Sequence, residues 1–143
     1  MRTFLKTALC IAAVSLTLVS CKKDESEPQV TAGFTWTENG GTTVQTASTA
    51  TFSTQYKTLI AASSTGTVFE INLSGTTPDT YALGGSNVIT YTKVTPYFIP
   101  STGNVIITAN ANGKMSGSFQ GSGSASGGVT SVAGTFTDIV VVP

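Results

Sequence analysis

The body of the chain holds only four carboxylates that could do chemistry: Glu38, Glu70, Asp79 and Asp138. Glycoside hydrolysis would need two of them on either side of one bond, with roughly 5–10 Å between the carboxyls. Their settings argue against that. Glu38 abuts Asn39-Gly40, a pair suited to a tight hairpin turn. Glu70 is out of phase with Phe69, Ile71 and Leu73, so both Glu38 and Glu70 read as solvated strand residues. Asp79 follows Pro78 and is placed to hydrogen-bond its own backbone in a turn. Asp138 flanks the last apolar run and is the only one of the four with apolar neighbours. There is no histidine, and the two cysteines are Cys10 and Cys21. Ser-His-Asp triads, Cys-His dyads and the usual zinc sites therefore lack their parts.

Other ligand chemistries are equally thin. Asn110 and Asn112 offer carbonyl oxygens, but no acid lies near them in sequence, and calcium wants several oxygens with carboxylates among them. A turn explains both residues. Residues 121–128 are rich in glycine and serine but lack the lysine and following helix of a phosphate-binding loop. No catalytic residue, metal or cofactor is expected. Aromatic rings remain. Trp36, Tyr81, Tyr91 and Tyr97 could stack on sugar rings, where a flat apolar face with a polar tip is useful. Trp36 shares a phase with Phe34 and reads as core. Tyr97 stands between Pro96 and Phe98 in an expected connection, so any ligand contact is expected near Tyr97 and the Gly/Ser stretch.

Positioning these residues falls to strands. The body favours Thr, Ser, Gly and Val over Leu, Lys, Glu and Arg, which suits pleated surfaces better than helix surfaces. Alternation of apolar and polar residues is common, and no sustained helical stripe occurs. Residues 33–38 alternate strictly, with Phe34 and Trp36 on one face. Residues 42–46 should return after the turn with Val44 inward. Strands are expected at 58–62, 67–74, 81–83, 87–94, 103–109, 114–120 and 129–142, with residues 97–99 as an edge or connection. Residues 121–128 have nothing to bury and should form a mobile loop. The continuous apolar run 139–142 should be covered on both faces. The expected fold is all-β: an antiparallel β-sandwich of about eight or nine short strands, with a partly closed barrel as the alternative.

Charge narrows the partners. From residue 29 onward, Lys57, Lys93 and Lys114 face the four acids. Nucleic-acid affinity rests largely on neutralising phosphates, so three scattered lysines make a nucleic-acid partner improbable.

The N-terminal segment has its own pattern. Arg2 and Lys6 precede an apolar stretch over residues 8–19, too short for a bilayer-spanning helix of about 20 residues. A basic start and a short apolar core read as a secretory signal. Leu18-Val19-Ser20-Cys21 then resembles a bacterial lipobox. The resemblance implies cleavage before Cys21 and acylation of its sulfur and new amino group. Two or three chains would anchor the protein stably, since each buried methylene is worth about 0.8 kcal/mol. Loss of Arg2 and Lys6 would leave five basic against seven acidic residues. Lys22, Lys23, Asp24 and Glu25 read as a solvated tether, and they also resemble the short export signal of Bacteroidota surface lipoproteins. That implies the outer face of the outer membrane, with the periplasmic face as the alternative. The expected domains are 1–20 (signal), 21–31 (acylated cysteine and tether) and 32–143 (β-sandwich).

The segments "TVFEINLSG", "DTYAL", "STGNVIITAN", "GKMSGSFQG" and "GTFTDIVV", after an aromatic first strand, resemble a family of small Bacteroidota lipoproteins. Its β-sandwich domain has no assigned function, and it carries no catalytic residues across. A glycine-threonine-tyrosine step is usual there, and Asp79 stands in place of the glycine before Thr80-Tyr81. The anchor, the neutral Ser/Thr-rich β body and the absence of catalytic residue types lead to the expectation of an anchored binding or adhesion module whose partner is a glycan or another envelope protein. A passive envelope component is the second expectation, and a glycan hydrolase is the least favoured.

Overall fold

The computed structural model describes residues 33–93 and 97–143. The described residues hold ten strands and no helix. They are β1 (Gly33–Glu38), β2 (Gln45–Thr46), β3 (Thr49–Ser53), β4 (Thr58–Ala62), β5 (Val68–Asn72), β6 (Asp79–Ala82), β7 (Val88–Thr92), β8 (Thr102–Ala111), β9 (Lys114–Ser126) and β10 (Val129–Val142). The all-β expectation holds. The strands lie in one mixed sheet ordered β6-β8-β9-β10-β3-β4-β5-β7, with β1 paired to β10 and β2 paired to β1.

This sheet has to curl. Strands β6 and β7 lie at opposite ends of an eight-strand path, about 34 Å apart if it were flat. Only residues 83–87 join them, and that length of chain spans about 20 Å at most. The two halves therefore face each other across one core, as in a half-barrel or a sandwich folded from a single sheet. The core is the inner face of nearly every strand: Phe34 and Trp36 from β1, Phe69 and Ile71 from β5, Tyr91 from β7, Phe119 from β9 and Phe136 from β10 are all buried.

Turn chemistry sets the hairpins. Asn39-Gly40 and Asn112-Gly113 both carry positive φ at the two central positions, the geometry of a type I′ turn. Asn39 also fastens its turn to the β9–β10 turn. Its Oδ1 accepts from Thr130 N at 2.8 Å, and its Nδ2 donates to Gly128 O at 2.9 Å.

Several local expectations are corrected. Val44 does not point inward; it is 63% exposed. The register that pairs Gln45 with Trp36 turns Gln45 inside and Val44 out. Residues 121–128 are not a mobile loop: through Ser126 they continue β9, and only Gly127-Gly128 turns. Their missing side chains are what allow this. A Cβ on Gly121 would lie 2.6 Å from the Pro100 ring, which crosses directly over the strand. The run 139–142 is covered on one face only. A bulge between Phe136 and Ile139, with Asp138 at φ 50°, shifts the phase by one residue. Ile139 is buried while Val140 is 54% exposed. Beyond the bulge, β10 leaves β1 and pairs in parallel with β3, a strand the alternation analysis does not assign.

Side chains occupy two backbone groups of β6. Asp79 Oδ1 accepts from Thr80 N at 2.7 Å, the local backbone role expected of it, and Asn87 Nδ2 donates to Ala82 O at 3.0 Å.

Candidate functional site

At one end of the core, side chains from β1, β2 and β7, and from Lys93 just after β7, converge on Glu38. It is not the solvated strand residue expected from its place beside the turn. It keeps the phase of Phe34 and Trp36, so its side chain turns toward the core and is only 16% exposed. Tyr91 Oη donates to its Oε1 at 2.5 Å and Gln45 Nε2 at 2.7 Å. Lys93 Nζ lies 3.0 Å from both carboxylate oxygens, and Trp36 Nε1 donates to Tyr91 Oη at 3.3 Å. Burial pushes the Glu38 carboxyl up, but the hydrogen bonds from Tyr91, Gln45 and Lys93 outweigh it and hold it below its ordinary value. Burial, and then the bond to Glu38, push the Tyr91 phenol well above its ordinary value. The cluster thus pairs an ionised acid with a neutral phenol, and every polar group is satisfied. Its work is to fasten β1 to β7, which share no ladder.

A folded-state pKa below the unfolded one contributes stability that is full above the unfolded value and is lost as pH falls through the folded value. Glu38→Gln should therefore cost about 2 kcal/mol at pH 7. The deficit relative to wild type should shrink as pH drops below about 4.3, the ordinary glutamate value. Urea unfolding at pH 7 and pH 3 checks this, and an equal deficit at both would refute the assignment.

Tyr97 and the Gly/Ser stretch are brought together. Ser126 Oγ donates to Tyr97 O at 2.9 Å, and Ser101 N donates to Ser122 O at 3.0 Å, so residues 97–101 run along the far half of β9. Phe98 pairs with Tyr91 and is buried, while Tyr97 is 55% exposed. Tyr97 is thus an exposed ring on a narrow ledge.

A broader apolar surface lies elsewhere, on the outer face of β3, β4, β5 and β10. The ladders align Val140, Thr51, Ile60 and Glu70 in one row across four strands, and Val142, Ser53, Thr58 and Asn72 in the next. Tyr56, in the turn between β3 and β4, is 72% exposed, and Ile60 is 51% exposed. Thr51, Ser53, Tyr56, Thr58, Ile60 and Glu70 enclose a hollow of about 340 Å³. A larger, shallow groove of about 410 Å³ crosses β1, β10, β9 and β8 under Val44, lined by uncharged residues such as Thr35, Thr135, Ser118 and Ile106.

The remaining acids stay apart in these surfaces. Glu70 is exposed, and Asp138 pairs with Lys114 at 3.6 Å and borders a separate hollow beside β1 and β3. Asn112 is a turn residue, and Asn110 Nδ2 donates to Thr76 O at 2.8 Å. Among the described residues, no three acidic, histidine or cysteine side chains are grouped to hold a metal, and no helix is long and apolar enough to cross a membrane. Cys21, Lys22, Lys23, Asp24 and Glu25 lie outside the described residues.

Residues 24–143 match the family described as a domain of unknown function, DUF6252. The chain belongs to that family. No curated protein and no solved structure matches it. In this DUF6252 domain, the surface that sequence reasoning missed did leave a signal. Ile60 is a large apolar residue between the inward Leu59 and Ala61, and Val140 sits between Ile139 and Val141. An apolar side chain on the outer phase of a strand marks a surface to be explained. Tyr56 has no such signal, because its exposure follows from the turn between β3 and β4, and alternation marks only β4.

Proposed function

We propose that this protein is a lipid-anchored outer-membrane lipoprotein of the Bacteroidota type, acylated on Cys21, whose β domain is a surface-displayed binding or adhesion module without catalysis. Support for the anchor is the Leu18-Val19-Ser20-Cys21 motif after a short apolar core, and support for display is the Lys22-Lys23-Asp24-Glu25 stretch. The observation that carries the binding reading is the exposure of three large apolar side chains on one outer face: Ile60 and Val140 in one row of the sheet and Tyr56 in the adjoining β3–β4 turn. Large apolar side chains on the outer face of a sheet do nothing for the core, so a partner is their natural use. A passive component at the periplasmic face is the competing reading, favoured by the Ser/Thr cover of the remaining surface.

The test combines labelling with protease shaving. Wild type should take up an alkyne fatty acid and fractionate with membranes, and Cys21→Ser should lose the label and become soluble. On intact cells an added protease should remove the domain while a periplasmic control survives. Replacing Lys22, Lys23, Asp24 and Glu25 by alanine should leave acylation intact and protect the domain. Labelled wild type that resists shaving until the outer membrane is opened would reject surface display.

A further inference from the structure

We infer that the hollow at Tyr56, on the outer face of β3, β4 and β5, binds a neutral oligosaccharide; this rests on the binding-module reading above and names its site and ligand class. A sugar ring offers an apolar C–H face and a rim of hydroxyls. Tyr56 and Ile60 supply the apolar surface, Thr51 supplies a hydroxyl and Glu70 an acceptor beside it. The size, about 340 Å³, is at the low end for small-molecule pockets. A protein partner of ordinary interface size would need about 800 Å² of surface on each side, which a hollow ringed by hydroxyls does not suggest.

The polar wall is fixed before any ligand arrives. Thr58 Oγ1 lies 2.6 Å from Asn72 Oδ1, and Asn72 Nδ2 donates to Glu70 Oε1 at 2.9 Å. That chain holds the Glu70 carboxylate with Oε2 left to accept a ligand hydroxyl. The turn is fixed as well: Tyr56 N donates to Ser53 Oγ at 3.4 Å, and Thr54 Oγ1 donates to Val142 O at 3.3 Å. Groups held in place lose less freedom on binding.

Charge chooses between sugar classes. Glu70 is the only charged residue lining the hollow. The nearest lysine in sequence, Lys57, is turned away, with Nζ on Ser74 O at 3.1 Å. A carboxylate without a cation repels uronates and sialates, and the site therefore selects neutral rings.

The experiment is saturation-transfer NMR on the full acylated chain in dimethyldodecylamine-oxide micelles, a detergent with no sugar headgroup. The probes are cellotetraose and mannotetraose, with tetragalacturonate as the anionic comparison. Transfer to the ring C–H protons of a neutral probe is expected, and none to tetragalacturonate. Tyr56→Ala should raise Kd about tenfold or more, and Tyr97→Ala should leave it unchanged. Both side chains are exposed, so neither variant should alter the melting temperature. No transfer to either neutral probe overturns the inference. So does tighter binding of tetragalacturonate, or a loss that follows Tyr97→Ala and spares Tyr56→Ala. A chain that is shaved from cells yet gives no transfer loses the saccharide site alone. A chain that is neither acylated nor surface-exposed overturns the anchored-module reading, whatever the sugars do.

Discussion

Phe69→Ala should cost about 4 kcal/mol, a large share of the 5–15 kcal/mol that holds a domain of this size folded. Phe69 is the second residue of β5, with its ring at the meeting point of both halves of the sheet. Its centroid lies 5.0 Å from Phe34, 5.2 Å from Trp36, 4.5 Å from Tyr91 and 5.3 Å from Phe119. Truncation loses the transfer energy of the ring, leaves a cavity that β-strands cannot close, and removes four aromatic pairs at once. Three of those partners lie on β1 and β9, across the core from β5, so the variant tests the curl itself. Thermal unfolding followed by Trp36 emission reads the effect directly, because Trp36 is the sole tryptophan and packs edge-on against Phe69. The melting temperature should drop by roughly 20 °C, and the native emission should shift to the red. Phe69→Leu should recover about half of the loss. A cost under about 1 kcal/mol would mean that the two halves do not face each other, since a fully buried ring cannot be lost so cheaply.

How much of this was legible in the sequence depends on the scale of the pattern. Phe34 and Trp36, Phe69 and Ile71, Val105 and Ile107, and Met115 and Phe119 all announce their inner phase by alternation within one strand, and all are buried. Asn39-Gly40 and Asn112-Gly113 announce their turns for the same local reason. What stayed hidden is set by distant parts of the chain. The Gly/Ser stretch reads as a loop until Pro100 is laid across it, and then the absent side chains are what the packing requires. Glu38 reads as solvated until Tyr91 and Lys93 are brought to it by the curl. Asp138 does stand among apolar neighbours, but its consequence is a bulge that flips Val140 outward, and alternation cannot foresee a phase shift. The candidate site suffered most from this. Tyr97 and the Gly/Ser stretch do meet, whereas Tyr56, Ile60 and Glu70 come from a turn and two strands whose joint surface exists only in the assembled sheet.

The second large effect concerns a residue with no side chain. Gly134 of β10 lies between Trp36 of β1 and Phe119 of β9 in register, on the inner phase shared by Val132 and Phe136. Its place in the core is taken by its neighbour. A Cβ there would stand 2.6 Å from Phe119 Cζ and 2.1 Å from Thr35 O. Gly117 of β9 repeats the arrangement in mirror fashion under Phe136, with a Cβ position 2.4 Å from its Cζ and 2.1 Å from Ile106 O. Each phenylalanine thus covers the glycine of the adjacent strand, and the pair locks the β9–β10 register, since a one-residue slip would put both rings against occupied positions. Gly134→Ala should cost about 3 kcal/mol, the upper end for an added methyl in a packed core. The nature of the clash predicts what can rescue it. Phe119→Leu would relieve the ring contact, but Thr35 O is backbone and can move only if the β1–β10 ladder opens. Rescue by Phe119→Leu should therefore be small, and hydrogen exchange should show lost protection in β1 while β4 and β5 stay protected. Gly33→Ala is the matching control: nothing lies within 4 Å of its Cβ position, and the change should be neutral or slightly stabilising. Equal stability for Gly134→Ala and Gly33→Ala would show that the approach of β1 to β10 is looser than the structure has it, and the glycine would then be a matter of chance instead of packing.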